Sequence, residues 1–307
     1  GLARPLGAGD VVAVVVGTDL VRTGTFESSH PLLDAFHRNV VWSMRGNFVD
    51  IPTDCPQRDE RLGWLGDNSF FAPAATYLFD VSTTMASWLA DVAIEHRTLG
   101  VVPAYVPWLG LEDPPLAPIA GFGDGAVLIP WTMYERFGDI EALERQYSSM
   151  CAWVDQVADI AGATHLWDRG FQLGDWLDPL APPEDPSRGT TDPALIATAF
   201  HYRTTLTVAM AAEALGRSDD AMRYASRAEA IRAAFLADEQ AAIAAMRTAE
   251  PPDSAAEALA LTLITYLRED SKPGLLETVL AEYGLSSQEG VALMCLAEAL
   301  LLSLIHI

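Results

Sequence analysis

Between positions 54 and 67 the chain places the carboxylates Asp54, Asp59, Glu60 and Asp67 beside the guanidinium groups of Arg58 and Arg61 and the indole of Trp64. Pro52, Pro56, Gly63 and Gly66 punctuate the same stretch. A solvated charge run has no use for an indole, prolines and glycines. A core segment does not hold so many ions, because unpaired buried charges are strongly destabilising. Forked acceptors and donors around a flat apolar ring suit a sugar, whose hydroxyls need paired hydrogen bonds and whose C–H face needs an apolar wall. A surface loop with local ion pairs is the plainer alternative.

Composition narrows the partners. The 307 residues carry a formal net charge of -23 and a pI near 4.4. That balance argues against nucleic acid and anionic membranes, which need a basic patch; a neutral small molecule makes no such demand. Cys55, Cys151 and Cys295 show no metal-ligand spacing, and their odd number gives no disulfide framework. Asp54, Asp59, Glu60 and Asp67 could offer oxygen to calcium, but Arg58 and Arg61 in the same cluster argue against it, so no metal and no cofactor are expected. No stretch reads as a signal peptide or a spanning helix, which favours the cytoplasm, although Gly1 does not look like a native start.

The residues that could do chemistry need elements to hold them. The run from Val11 to Val16 reads as one buried strand. From Pro31 the pattern is helical, with Leu33, Phe36, Val40 and Met44 on one face. Further helices are expected over 67–79, 83–97, 124–136, 140–161, 193–215 and 219–236. Met85, Trp88, Leu89 and Val92 form the stripe of the second of these, Gly138 suits a C-terminal cap, and Gly216 joins the last two as a hairpin. The segments 99–123 and 168–191 are long loops, which in a compact domain are commonly functional. Asp124 stands where an N-cap would, with a binding role as the alternative. Trp131 reads as core and Trp108 is left open. Long helices alternating with such loops predict a mainly α chain, an α/α toroid whose loops gather at one end.

DIPTDCPQRDERLGWLGD, Asp50 to Asp67, resembles the signature of bacterial α-L-rhamnosidases of glycoside hydrolase family 78. HRNVVWSMRGNF (His37 to Phe48), VVPAYVP (Val101 to Pro107), GFGDGAVLIPW (Gly121 to Trp131) and FQLGDWLDP (Phe171 to Pro179) fall in the family's order, and the similarity covers about residues 1–236. The resemblance implies an incomplete (α/α)6 toroid with a short N-terminal β remnant: residues 1–28 as the tail of a β-sandwich domain packed on the helices, and 29–236 as a partial catalytic domain. It also implies hydrolysis, with inversion, of terminal α-L-rhamnose from a small-molecule or oligosaccharide substrate. Glu60 is then the general acid, and Asp54, Arg58, Trp64 and Asp67 contact the sugar. Trp176 and Asp175 carry over from the GDWLD segment. Phe122 stands where the family usually has tryptophan, which keeps the apolar wall and removes an indole donor. Leu65, Asn68 and Ser69 also depart from the usual residues.

A general acid must keep its proton near neutral pH, which burial or nearby negative charge achieves. Asp54, Asp59 and Asp67 could supply the charge and Trp64 the burial, while Arg58 and Arg61 oppose them. Asp59 is expected to cap a turn or pair with an arginine, and Cys55 to be packing. The family's general base lies beyond the matched region and no residue here fits its motif, so the activity of the fragment stays open.

Near Ala237 the character changes. Residues 237–272 are rich in Ala and Glu, and Glu282 to Leu301 resemble the N-terminal helical region of bifunctional proline dehydrogenases. Residues 237–307 therefore read as a foreign helical tail on a chimeric or truncated reading frame. Two alternatives to the hydrolase follow: a rhamnose-binding module without turnover, and a helical arm derived from proline dehydrogenase.

Overall fold

The computed structural model describes residues 12–110, 118–175, 178–185 and 189–248. Its first helix, α1 (Pro31–Asn47), opens with the proline that needs no N–H partner at a helix start. Asp34 in its first turn reaches back to the Ser28 N–H at 2.8 Å and the Ser28 hydroxyl at 3.0 Å. Val40 and Met44 are buried and Leu33 and Phe36 half-buried, which is the expected face. A two-residue hairpin follows, β1 (Phe48–Val49) and β2 (Ile51–Pro52), antiparallel with Phe48 opposite Pro52. Then come α2 (Leu65–Leu78), α3 (Ser82–Leu99), α4 (Gly125–Phe137), α5 (Ile140–Ala161), α6 (Pro193–Ala214) and α7 (Ser218–Thr248).

Local chemistry sets most of these bounds. Asp139 and Asp192 cap α5 and α6 by accepting the N–H groups of Ala142 and Ala194, each at 2.9 Å. Gly138 takes the left-handed conformation after α4, φ 68°, where a side chain would be strained. Helix α2 begins two residues before the expected position, because the extended backbone of Gly63 and Trp64 ends there.

Packing sorts the helices into two layers. Helices α2, α4 and α6 lie side by side, α3 lies against α4 and α5, α5 covers α4 and α6, and α7 pairs with α6. The inner helices are apolar around much of their circumference; the buried residues of α6 include Ala197, His201, Thr204, Val208 and Ala211, more than one face. Helix α5 instead buries a periodic stripe through Leu143, Tyr147, Met150, Val154 and Val157, as a helix with one wet side does. This is an arc of a two-layer helical toroid, in agreement with the mainly α fold expected. The long segments before α2, α4 and α6 meet one another, through Gly63 with Val106 and through Ala120 with Gln172. Among the described residues no helix is long and apolar enough to cross a membrane.

Two expectations need correction. Residues 12–16 form no strand, and Val12, Val14, Val15 and Val16 are 66–81% exposed. A strand needs a partner for its N–H and C=O groups, and no described segment lies beside this one. The strap from Thr18 onward does pack: the Asp80 N–H donates to the Val21 carbonyl at 2.8 Å, and Arg22 bridges Phe79. Second, the helix expected to end at 236 continues as α7 to Thr248. The rest of the proposed tail lies outside the described residues.

The inner layer also buries charge-capable groups. His201 of α6 is 1% exposed, and neither ring nitrogen has a hydrogen-bond partner. Burial, with Arg227 and His165 nearby, pushes its pKa down from 6.5 to about 4. Between those values the unfolded chain holds a proton that the folded chain refuses. Stability is therefore fully present above about pH 6.5 and is lost as pH falls toward 4. Asp124 acts in the opposite sense, since burial raises its carboxyl from 3.8 to about 6, and its contribution is lost as pH rises through 6. Comparison with His201→Leu cancels the Asp124 effect. We expect the parent chain to lose on the order of 2–3 kcal/mol more than His201→Leu between about pH 7 and pH 4, read from urea unfolding.

Candidate functional site

The segment between β2 and α2 is held at both ends and free in the middle. Thr53 is tied to the end of α1 through its N–H and hydroxyl, each 3.1 Å from the Asn47 carbonyl. At the other end the Leu65 N–H donates to the Ala104 carbonyl and the Val106 N–H to the Gly63 carbonyl, both at 2.9 Å. Gly63 is required there, because a Cβ would sit 2.3 Å from the Val106 oxygen. Trp88 of α3 braces the same carbonyl through its indole N–H at 3.1 Å. Buried Asn68 closes the segment: its amide donates to the Pro52 carbonyl at 2.9 Å and the Trp64 carbonyl at 2.7 Å.

Between those anchors Asp54, Cys55, Arg58 and Glu60 form one cluster. The Arg58 guanidinium touches the other three: Nη2 to Asp54 Oδ2 at 3.2 Å, Nε to Cys55 Sγ at 2.9 Å, and Nη1 to Glu60 Oε1 at 3.5 Å. The Cys55 thiol donates to the same Asp54 Oδ2 at 3.0 Å. The Asp54 side chain is only 6% exposed, and its other oxygen, Oδ1, is buried with no partner. Donor atoms of Asp54, Cys55 and Glu60 all lie within 4.8 Å of one another, the one set among the described residues that could hold a metal ion. The guanidinium already supplies positive charge to all three. Burial and the bond to Asp54 push the thiol up to about 11, so Cys55 is a protonated donor and not a nucleophile.

A row of rings adjoins this cluster. Trp64 meets Tyr105 edge-on with centroids 5.0 Å apart and Phe122 at 5.7 Å, and Trp108 stacks on Tyr105 at 4.8 Å. These rings come from the segments before α2 and α4. Gly66 lets α2 approach Phe122, since a Cβ would come within 3.0 Å of its ring. The third segment braces the second: Gln172 accepts the Ala120 N–H at 2.8 Å and donates to the Pro118 carbonyl at 3.3 Å.

Asp54, Arg58, Glu60 and Trp64 thus share one end of the arc, with Phe122 against Trp64 and Asp67 half-buried in the first turn of α2. Other expectations change. The Glu60 side chain is 31% exposed, so Trp64 does not bury it. Asp59 is exposed, and among the described residues no hydrogen bond or ion pair makes it a turn cap or an arginine's partner. Asp175 is exposed, and no contact among the described residues ties it to the cluster. Trp176 lies outside the described residues. Asp124 occupies the N-cap position of α4, but its carboxylate turns inward to the Gly121 N–H at 2.7 Å and the Trp153 indole at 2.8 Å. Trp131 is half-buried against the core. Tyr105, Trp108, Gln172 and Glu95, whose carboxylate accepts the Trp108 N–H at 2.8 and 2.9 Å, were not singled out from sequence as site residues. The Pro- and aromatic-rich VVPAYVPW run was the available signal for the first two.

The family model for the bacterial alpha-L-rhamnosidase 6 hairpin glycosidase domain matches residues 21–289. The chain belongs to this family. It is 37% identical over 234 residues to an alpha-L-rhamnosidase of Alteromonas sp. (strain LOR), a match covering 74% of this chain and 24% of that protein. A crystal structure of native alpha-L-rhamnosidase from Aspergillus terreus superposes with TM-score 0.71 at 39% identity, over 76% of this chain and 27% of that one. The Streptomyces avermitilis alpha-L-rhamnosidase complexed with L-rhamnose gives TM-score 0.63 at 33% identity, over 72% and 20%. The chain therefore spans about a quarter of the curated rhamnosidases that it matches. A second, shorter similarity is to the bifunctional protein PutA of Escherichia coli (strain K12), 44% identical over 80 residues, 24% of this chain and 6% of that protein.

Within this six-hairpin glycosidase domain, Asn68 is the brace that the site depends on. Asn68→Ala removes the side-chain donor to the Pro52 and Trp64 carbonyls, leaving Trp64 only the backbone N–H of residue 68 at 3.2 Å, and should cost about 1–3 kcal/mol in urea unfolding. Trp64 fluorescence should shift toward that of a wetter indole.

Proposed function

We propose that this chain carries the sugar-binding and acid-donating side of an inverting α-L-rhamnosidase. The observation that carries the reading is Asp54 Oδ1, a buried carboxylate oxygen with no hydrogen-bond partner in the structure. Leaving such an atom unsatisfied is costly, and a sugar hydroxyl that donates to it recovers the cost on binding. Arg58 offers its remaining guanidinium N–H groups beside it, and Trp64 and Phe122 offer apolar faces for the C–H side and the 6-deoxy methyl group. Asp67 accepts from a further hydroxyl. The belonging of the chain to a glycosidase family, and the rhamnose complex of the Streptomyces relative, support rhamnose as the sugar.

In this reading the Glu60 carboxyl gives its proton to the glycosidic oxygen as the bond to the anomeric carbon breaks, and water adds from the opposite face. The base that takes the water's proton is not Asp54. One of its oxygens lies within 4.8 Å of a Glu60 oxygen, whereas inversion needs roughly 6.5–9.5 Å between the two carboxyls to seat the water. With Asp54 excluded as the base, the second reading is rhamnose binding without turnover.

Release of p-nitrophenol from p-nitrophenyl α-L-rhamnoside, by the chain and by Glu60→Gln, separates the two readings. The hydrolase reading expects turnover that falls at least about 100-fold in the variant. Rhamnose binding lost in Asp54→Asn, with no turnover by the parent, selects the binding module. Neither turnover nor binding overturns both.

A further inference from the structure

The buried Cys55 sulfur is bonded on both sides. The thiol donates to Asp54 Oδ2 at 3.0 Å, and Sγ accepts from Arg58 Nε at 2.9 Å. Arg58 Nη2 returns to Oδ2 at 3.2 Å, which closes a ring of three hydrogen bonds. Both donors to Asp54 fall on one oxygen. A carboxylate held only by an arginine that is itself 45% exposed can exchange its two oxygens as that side chain moves. With the second donor the buried thiol of the adjacent residue, and with Arg58 Nε tied to the same sulfur, that exchange breaks two bonds at once.

We propose that Cys55 is a positioning residue, whose thiol locks the rotation of the Asp54 carboxylate and the plane of the Arg58 guanidinium so that Oδ1 is always the acceptor presented to a sugar hydroxyl. The proposal deepens the rhamnose-pocket reading and rests on it for the ligand. It assigns Cys55 a role that packing alone does not require. Cys55 is 5% exposed, so water does not compete for the thiol proton. A thiolate in its place would repel Asp54 and release the lock, and burial keeps that form from arising at ordinary pH.

Two measurements on the full chain test it. Calorimetric titration with L-rhamnose should show binding weakened about tenfold in Cys55→Ala, the expected loss of a hydrogen bond to a charged group. Cys55→Ser, which can still donate and accept, should recover to within about threefold of the parent. Parent affinity in Cys55→Ala, or a Ser variant no better than Ala, would overturn the proposal. The S–H stretching band in the Raman spectrum, isolated as the difference between parent and Cys55→Ser, gives a readout that needs no sugar. It should lie at the low frequency of a strongly bonded thiol and rise in Asp54→Asn; an unmoved band overturns the proposal even if Cys55→Ala fails to fold. A band that moves, in a parent that binds no rhamnose, upholds the thiol–carboxylate lock and overturns the sugar reading.

Discussion

Helices α2, α4 and α6 have protein on most sides, and polar side chains along their lengths turn to partners within the wall, with His201 and Thr205 of α6 as exceptions. Thr204 and Thr207 return their hydroxyls to backbone carbonyls one turn back, at 2.9 Å each. Asp124 draws the Trp153 indole and the Gly121 N–H to itself. Chemistry open to a ligand is left to the helix ends. The segments before those ends are too long to be simple turns, and the N-terminal ends themselves favour negative charge, such as Asp67 in the first turn of α2.

The Arg58 cluster solves an electrostatic problem that the -23 charge of the chain makes acute. Burying Asp54 without a counter-charge would cost several kcal/mol, and pairing it with an exposed lysine would fix only charge. The fork of a guanidinium meets Asp54, Cys55 and Glu60 through three different nitrogens, so one side chain sets three positions. The same fork explains why a set with metal-like spacing is better described as an ion-pair network. A divalent cation at these donors would have to displace Arg58 and deprotonate a thiol whose pKa stands near 11.

Legibility in the sequence followed the range of each interaction. Helices α1, α3 and α5 were readable because a core on one side and water on the other imprint a periodic stripe. Helix α6 was readable from Asp192 and Pro193, whose cap acts within two residues. The valines at 12–16 misled because their β-branched character is local while pairing is not. Asp124 misled in the same way: its type and position say N-cap, but a tryptophan 29 residues on holds its carboxylate. The grouping of Asp54 with Arg58 came from the charges and indole crowded into 54–67 and from the family resemblance there, since off a helix an i, i+4 spacing does not bring side chains together. The bonds of Cys55 were not, since they depend on how the segment folds back on itself, and Tyr105 and Trp108 joined the site from a different loop.

The three loops act as one wall because each is braced by another's backbone. Trp64 is placed by its neighbours' pairing with Ala104 and Val106, so a change in the second loop moves the ring in the first. Phe122 is placed by the turn at 119–123, which Asp124 holds from within and Gln172 holds from the third loop. The GDWLD region thus bears on the pocket even though Asp175 does not touch the Arg58 cluster. Its lever is Gln172, three residues upstream, whose amide accepts and donates on both sides of the turn that carries Phe122. Phenylalanine suffices at 122 in this frame. The ring needs to meet only the Trp64 edge and the Gly66 backbone, and the polar fixing of its turn is done by Asp124 and Gln172, so no indole N–H is required to anchor it.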